Sequence, residues 1–401
     1  MRVKSFRCFC ILRGNRVAML DKEGFRFIAQ SECKTALFAL LITCCLYSPS
    51  FACWENGFSV ETVGAFSGYQ QGCASVEVDG IVYLAGGYIE HQNIYTHNLN
   101  TGQGNDLGQT LPYEMSQFAG AATEDGIIYF TPSCSFPSGG RSKLVRYNPS
   151  TNECVEISNG FPEDTARAGM IRGPDGFLYT YGGQNSSGYH GKIYRLDPSD
   201  ESFDLAASVP DQLDWSTPAV FANNGLLYIF SYISQTYDVY SFDPSTGQIA
   251  TASDISSYFT TNNLSVCGLP WVCEDSIFLF AHDRANSTLT LFRFNTQDNT
   301  FSNTNLNFPN CLASFWTIAK ETSIFIIGGA LCPDFSDYSE SVYKIAPYCA
   351  PVTKPYVFMA GKPAKADEMN ENFNVLLEEA NSINCELEKL KSWAESMGYS
   401  P

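Results

Sequence analysis

The sequence predicts an all-β protein, a six-bladed β-propeller followed by a C-terminal α-helix of the coiled-coil type. Three observations support this prediction. A short apolar phrase recurs six times at spacings of 46 to 51 residues, a second alternating phrase follows each copy, and the chain holds 29 Phe and 22 Tyr. A repeat near 50 residues built of short β-rich segments is typical of propeller blades, and aromatic residues suit pleated, half-buried surfaces.

The first phrase predicts the second strand of each blade. Four copies follow a glycine, and three run into a Gly pair, as in Gly86-Gly87, Gly182-Gly183 and Gly328-Gly329. Glycine adopts the backbone conformations of tight turns most readily, so it often follows a short strand. The six copies begin at Ile81, Ile127, Phe177, Leu226, Ile277 and Ile324.

The second phrase predicts the third strand and the turn that ends it. Asn148-Pro149 and Asp243-Pro244 close two of the copies. Proline presets φ, and Asn or Asp accepts a hydrogen bond from the backbone that follows it, so these pairs indicate turns. The six copies begin at Asn93, Leu144, Ile193, Val239, Leu291 and Val342.

These phrases resemble the Kelch-repeat family of β-propellers, of the galactose-oxidase type. Residues 81–87 with 94–98, and 177–183 with 193–198, resemble its blade most closely. Blades two, four and five lack the Gly pair, and the family's outer-strand Trp is absent. The resemblance covers about residues 54–348 and implies a fold without naming a function.

The last blade lacks an outer strand of its own. The alternating segment Phe58–Val63 precedes blade one, and we predict that it completes blade six and closes the ring. That pairing would bring Cys53 near Cys349, and Cys311 and Cys332 flank one face of blade six. These four cysteines are disulfide candidates, although spacing alone does not fix connectivity.

The sequence divides into four predicted segments. Residues 1–52 are expected to be a signal peptide with an N-terminal extension. An apolar run of 12 residues at 36–47 is followed by small residues that resemble a cleavage site ending at Ala52. A signal anchor is the alternative, and translation could start at Met1 or Met19. The other segments are the propeller at 53–350, a Pro-containing linker at 351–363 and the helix at 364–401.

Two further features agree with a secreted or lumenal protein. Ten cysteines follow Ala52, an even number. Three sequons offer glycosylation sites at Asn185, Asn263 and Asn286. We therefore expect a secreted glycoprotein with no membrane span in the mature chain.

The tail carries a heptad pattern. Apolar residues recur at alternating steps of 4 and 3 from Met369 to Met397, which predicts a coiled-coil seam. Self-association, docking on a helix of a different partner and folding back on the propeller are the alternatives. The residues expected to mediate oligomerisation are Phe373, Leu376, Ile383, Leu387 and Leu390.

The net charge of the chain limits the kinds of partner that it can bind. The chain has a net charge of −18, and because residues 1–52 carry a net +5, the remainder carries −23. Such a surface repels phosphate backbones, so nucleic-acid binding is not expected. It favours solubility and suits a cationic partner or divalent ions.

No catalytic motif emerges from the sequence. The chain has four His, and it contains neither His-Glu-x-x-His nor Gly-x-Ser-x-Gly. We therefore expect no metal and no cofactor. Similarity to galactose-oxidase-like propellers implies a copper site of two Tyr and two His, but no two His lie at matching places in successive blades. Sialic-acid mutarotases are also Kelch propellers, and none of their site residues can be placed here.

Antiparallel blades put the loops between strands two and three, and the loops between blades, on one face. We call it the loop face. Its aromatic and charged residues predict non-catalytic binding of a protein or glycan partner, with a carbohydrate-acting oxidase or mutarotase as the alternative. The candidate binding residues are Tyr88, His91, Arg141, Arg167, Tyr189, His190, Trp215, Tyr232, Arg284, Trp316 and Tyr338.

Overall fold

The structure is a computed structural model. Within the residues it describes, no helix combines the length and apolarity needed to cross a bilayer. The predicted apolar leader, the linker and the C-terminal helix lie outside the described residues. These residues are 9–13, 16–21, 24–28, 58–65, 72–87, 92–135, 139–140, 143–157, 161–162, 165–214, 216–231, 237–256, 259, 264–283, 286–308, 312–313, 315–320, 323–331 and 339–347.

The N-terminal segment forms a three-stranded antiparallel sheet of its own. Its strands are Phe9–Arg13, Arg16–Asp21 and Gly24–Ile28, paired in chain order. Gly14 and Asn15 separate the first two strands in the sequence, and such residues favour two-residue hairpin connections. No strand was predicted in this segment from the sequence.

Residues 58–347 form six antiparallel sheets of the propeller, as the repeat predicted. Each sheet runs from an inner strand to an outer strand. The strands of the first three blades are Ala74–Val78, Ile81–Ala85, Asn93–Asn98 and Gly104–Gln109; Gly120–Ala122, Ile128–Phe130, Val145–Asn148 and Glu153–Glu156; and Gly169–Arg172, Leu178–Tyr181, Gly188–Asp197 and Ser202–Leu213.

Blades four to six repeat this order, and short extra pairs extend three of the six blades. The strands of the last three blades are Ala219–Phe221, Leu227–Phe230, Asp238–Asp243 and Gln248–Asp254; Leu264–Cys273, Ser276–Asp283, Thr288–Asn295 and Phe301–Phe308; and Trp316–Lys320, Ser323–Ile327, Ser341–Pro347 and Phe58–Ala65. The short extra strands are Cys134–Ser135, Gly139–Gly140, Gln184–Asn185, Leu312–Ala313 and Ala330–Leu331.

The N-terminal strand of the propeller closes the ring, and this prediction is confirmed. Phe58–Ala65 pairs antiparallel with Ser341–Pro347, with Val60 opposite Ile345 and Thr62 opposite Tyr343. Blade six therefore takes three strands from the end of the propeller and one from its beginning. The pairing leaves no open sheet edge between the last blade and the first.

Apolar side chains fill the space between neighbouring blades. Six clusters of buried residues each join two adjacent sheets, and together they pass around the whole ring. Burial of these aromatic and aliphatic surfaces is the main force that holds the blades together. In each cluster, residues of two adjacent blades lie together. One such pair from each cluster, in order around the ring from the interface of blades one and two, is Tyr83 and Phe130, Tyr129 and Leu178, Tyr179 and Phe242, Phe230 and Phe294, Phe280 and Ile324, and Trp316 and Leu84.

The turns follow the chemistry that the sequence indicated. The side-chain oxygen of Asn148 accepts the backbone N–H of Ser150 at 3.0 Å, and that of Asp243 accepts the N–H of Ser245 at 2.8 Å. Gly86 has a φ of +65°, and a β-carbon there would lie 2.8 Å from a ring carbon of Phe118. A Gly pair thus allows the tight approach between one blade and the loop that leads into the next.

Candidate functional site

Of the four candidate binding residues that the structure describes, Arg167 is the one with a left-handed backbone. It stands two residues before the inner strand of blade three, with a φ of +60°, a region that long side chains seldom adopt. Its backbone N–H donates to the carbonyl of Pro132 in blade two at 3.2 Å. This bond holds the left-handed conformation and directs the side chain toward the loop of its own blade.

Arg167 contacts Tyr189, another predicted site residue. Nη1 of the guanidinium donates to the Tyr189 hydroxyl at 2.8 Å. Arg167 belongs to the connection between blades, whereas Tyr189 lies at the start of the third strand, in the hairpin that joins it to the second strand. Their contact confirms that the two kinds of loop emerge on one face.

His190 lies beside this pair and is held from three sides. The backbone N–H of His190 donates to the Gly183 carbonyl at 3.0 Å. The ring Nδ1 accepts the backbone N–H of Lys192 at 3.3 Å. With Nδ1 accepting, the neutral ring carries its proton on Nε2. Nε2 lies 3.4 Å from the hydroxyl of Thr165, which is fully buried and acts as acceptor.

A backbone bridge makes this part of the face rigid. The N–H of Ala166 donates to Gln184 at 2.9 Å, and the N–H of Gln184 donates back to Ala166 at 2.7 Å. This pair ties the loop before blade three to the hairpin that carries Tyr189. Arg167, Tyr189 and His190 therefore project from one fixed frame, which lowers the entropic cost of binding a ligand.

The adjoining edge of the site is a buried carboxylate turn. Asp214 Oδ1 accepts the N–H of Ser216 at 2.9 Å and the hydroxyl of Ser216 at 2.8 Å. Burial raises the pKa of Asp214, and the hydrogen bonds from Ser216 and Thr217 oppose that rise. The Tyr181 hydroxyl donates to the carbonyl of Thr217 at 3.1 Å. This turn shapes the entry to blade four.

Trp316 is placed differently from the other described candidates. The inner strand of blade six begins at this residue, and its side chain is only 8% exposed. It belongs to the apolar cluster between blades six and one, which also contains Cys73. Its role in binding stays a prediction. Seven candidates lie outside the described residues, namely Tyr88, His91, Arg141, Trp215, Tyr232, Arg284 and Tyr338.

Two of the three predicted glycan acceptors are described. Asn286 is exposed in the hairpin of blade five, where its side-chain amide donates to Asp283 at 2.8 Å. Asn185 is partly exposed, and its Oδ1 accepts the N–H of Ser187 at 2.8 Å. Because Asn185 pairs with Gly188 in the hairpin that carries Tyr189, a glycan there would border the loop face. Asn263 lies outside the described residues.

Several other predictions also fall outside them. The four disulfide candidates, Cys53, Cys311, Cys332 and Cys349, and the helix residues from Phe373 to Leu390 are not described. Among the cysteines that are described, Cys73 and Cys154 carry free thiols. No group of three or more His, Cys, Asp and Glu in the described part of the chain is arranged to hold a metal ion.

Thr165, which contacts His190, was not predicted from the sequence as a site residue. Neither were Asp238 and Tyr240, whose side chains meet that of Asp211, a loop-face residue expected from the sequence, between blades three and four. The sequence feature that could have indicated this cluster is charge, because Asp211, Asp238 and Tyr240 lie in a stretch of the chain without Lys or Arg. Comparison with known proteins adds nothing to this site: no family model matches the chain, and no curated protein matches it.

Proposed function

We propose that this chain is a secreted, non-catalytic binding protein of the Kelch type. Its loop face takes a protein or glycan partner, and its C-terminal helix mediates oligomerisation or assembly. The observation that carries the proposal is the Arg167–Tyr189 pair, set on a left-handed backbone and a bridged pair of loops. Backbone in a sparsely populated region persists where the surrounding structure requires it, and such positions cluster at functional sites.

The chemistry of this pair favours binding. Arg and Tyr are the side chains most enriched where binding energy concentrates. Both also serve carbohydrate recognition, through hydrogen bonds to hydroxyls and contact of the aromatic ring with a sugar face. Thr165 and His190 add a fixed hydroxyl and a fixed imidazole beside them. No described group in this constellation pairs a nucleophile with a base and an orienting acid, as acyl or glycosyl transfer would need.

Capture from the native source tests the proposal directly. The intact mature protein is immobilised, and bound proteins and glycans are identified by mass spectrometry and on a glycan array. We expect Arg167→Lys and Tyr189→Phe to lower retention of the bound partner at least tenfold, because the bidentate fork and the phenol hydroxyl are lost.

A matched variant controls for charge. Arg172 ends the inner strand that Arg167 precedes, and it forms an exposed ion pair with Glu124 at 3.3 Å. Arg172→Lys should leave retention unchanged. Equal loss in the Arg172 and Arg167 variants, or no partner retained by the wild type, would contradict the proposed function.

A further inference from the structure

Part of the propeller carries no basic side chain. Between Arg195 and Arg284 the sequence contains no Lys and no Arg, while it contains twelve Asp and Glu. This stretch runs from the end of the third strand of blade three, through all of blade four, into the second strand of blade five. The stretch itself therefore carries a net charge of −12, and two of its acidic residues, Glu201 and Asp204, pair with Arg146 and Arg195, which lie outside it.

Three of these carboxylates gather on the loop face. Asp211 lies near the end of the outer strand of blade three, and Asp238 opens the third strand of blade four. Asp254 lies directly opposite Asp238 at the end of the outer strand. Asp211 and Asp238 are partly exposed and Asp254 is exposed, so a ligand in solution can reach them.

The Tyr240 hydroxyl lies between two of them. It donates to Asp238 Oδ2 at 3.4 Å and also faces Asp211. A phenol has one proton to donate, so it cannot satisfy both carboxylates at once. Burial, and then the charges of Asp211 and Asp254, raise the pKa of Asp238. Asp211, Asp238 and Tyr240 thus interact at one end of two neighbouring blades.

Ser231 directly follows the second strand of blade four and carries a buried hydroxyl. The N–H of Ser231 donates to the carbonyl of Asp238 at 2.9 Å, which places the two residues opposite each other on neighbouring strands. Opposite residues project to the same side of a sheet, so Ser231 shares the side of Asp238 and Tyr240. Ser231 is 1% exposed, and its Oγ has no hydrogen-bond partner in the described part of the chain. A buried hydroxyl without a partner is costly, and a bound donor would satisfy it.

We propose that Asp211, Asp238 and Ser231 form a subsite for the arginine side chain of a basic protein segment. The inference rests on the proposed binding function and names the chemistry of its partner. A guanidinium supplies five N–H donors in a planar fork, enough to bridge two carboxylates and reach a hydroxyl. A metal ion fits less well, because the described residues include no set of ligands arranged to hold one.

Binding of a labelled peptide tests the subsite. The probe is a fluorescein-labelled Gly/Ser peptide with two arginines, titrated with the full-length mature protein in 150 mM NaCl by fluorescence polarisation. This ionic strength screens long-range attraction and retains short-range pairing. We expect the arginine peptide to bind, and its citrulline and lysine counterparts to bind at least tenfold more weakly.

Two variants with the same charge change separate a subsite from general attraction. Asp211→Asn with Asp238→Asn should weaken peptide binding at least tenfold. Asp200→Asn with Asp243→Asn removes two carboxylates from the turns at the opposite face of the same blades, where each accepts a backbone N–H that asparagine can also accept. This control should change binding less than twofold. Thermal unfolding of both variants checks that each is folded.

The outcomes are distinct. No binding by the wild type, equal loss in both variants, or equal binding of the lysine peptide would overturn the arginine subsite. Suppose instead that the native partner is retained by the wild type and equally by the Asp211/Asp238 variant. The subsite would then be refuted while the proposed binding function stands. Failure of the wild type to retain any partner would refute both.

Discussion

The imidazole of His97 packs against Gly64 of the closing strand. A β-carbon built on Gly64 would lie 2.9 Å from Nε2 of His97 and closer still to Cε1. His97 is fully buried in the third strand of blade one, next to the strand that completes blade six. The junction between the first and last blades therefore depends on a glycine that leaves room for a histidine ring.

Replacing Gly64 should loosen this junction. Gly64→Ala forces the ring or the strand to shift, and overpacking of this kind costs about 1–3 kcal/mol of unfolding free energy. Chemical denaturation followed by tyrosine and tryptophan fluorescence measures the loss. The control is Ser59→Ala in the same strand, which is exposed and should change stability by less than about 0.5 kcal/mol. Equal stability of the Gly64 variant and the wild type would contradict the packing.

The same contact should make stability depend on pH. Burial lowers the pKa of His97 from its ordinary value of 6.5. As pH falls below 6.5, the unfolded chain takes up a proton at His97 that the folded chain does not, so the unfolding free energy decreases. Well above 6.5 both states are neutral at this residue, and its contribution is constant.

A histidine variant isolates this effect. The difference in unfolding free energy between wild type and His97→Gln should change as pH falls from 7 toward 5, with the wild type losing more stability. Denaturant titrations at several pH values measure the difference. A difference that stays constant over this range would rule out His97 as the group responsible.

Cys73 should resist modification in the folded protein. Burial raises the pKa of its thiol to about 12, and its side chain is fully buried beside Trp316. Since the thiolate is the reactive form, iodoacetamide at pH 8 should leave Cys73 unlabelled until the protein unfolds. Peptide mass spectrometry measures the labelling of Cys73 with and without denaturant. Rapid labelling of Cys73 under native conditions would show that the inner strands of blades six and one do not pack as described.

Blade two has a threonine hydroxyl where blades one, three and six have glycine. Thr131 occupies the first position of the Gly pair, and its Oγ1 donates to the carbonyl of Ala168 in blade three at 2.9 Å while accepting the N–H of Ala119 at 2.9 Å. Thr131→Val keeps the shape and removes both bonds, which should cost about 1–3 kcal/mol. Thr101→Val, at an exposed turn, serves as the control in the same denaturation assay. No difference between the two variants would refute the bridging role of Thr131.

The blade count and the closing strand could be predicted because both follow from periodicity. The two phrases repeat once per blade, and Phe58–Val63 alternates where blade six needs a partner. Turn chemistry at Asn148 and Asp243 was equally local, since each side chain bonds the backbone two residues ahead. Such features depend on a repeated pattern or on residues close together in the sequence, and both are visible without a structure.

The meeting of residues from different blades could not be predicted. Asp211 approaches Tyr240 because the outer strand of blade three extends to Leu213, and strand ends are the least certain part of a sequence-based assignment. For Trp316, the sequence did not show whether the residue belongs to a loop or to the strand that begins there. Arg167 was recognised, but its contact with Tyr189 depends on a backbone bridge between Ala166 and Gln184.

Hydrogen exchange of the closing strand tests the central claim, the six-bladed ring, most directly. Peptides covering Phe58–Ala65 should exchange as slowly as those covering Ser341–Pro347, because their backbone amides share one ladder and open together. Peptides at the surface turn 100–103, where residues 100, 101 and 103 are exposed, serve as the fast-exchanging reference. Exchange of Phe58–Ala65 at the rate of that turn, with Ser341–Pro347 still protected, would show that the N-terminal strand does not complete blade six.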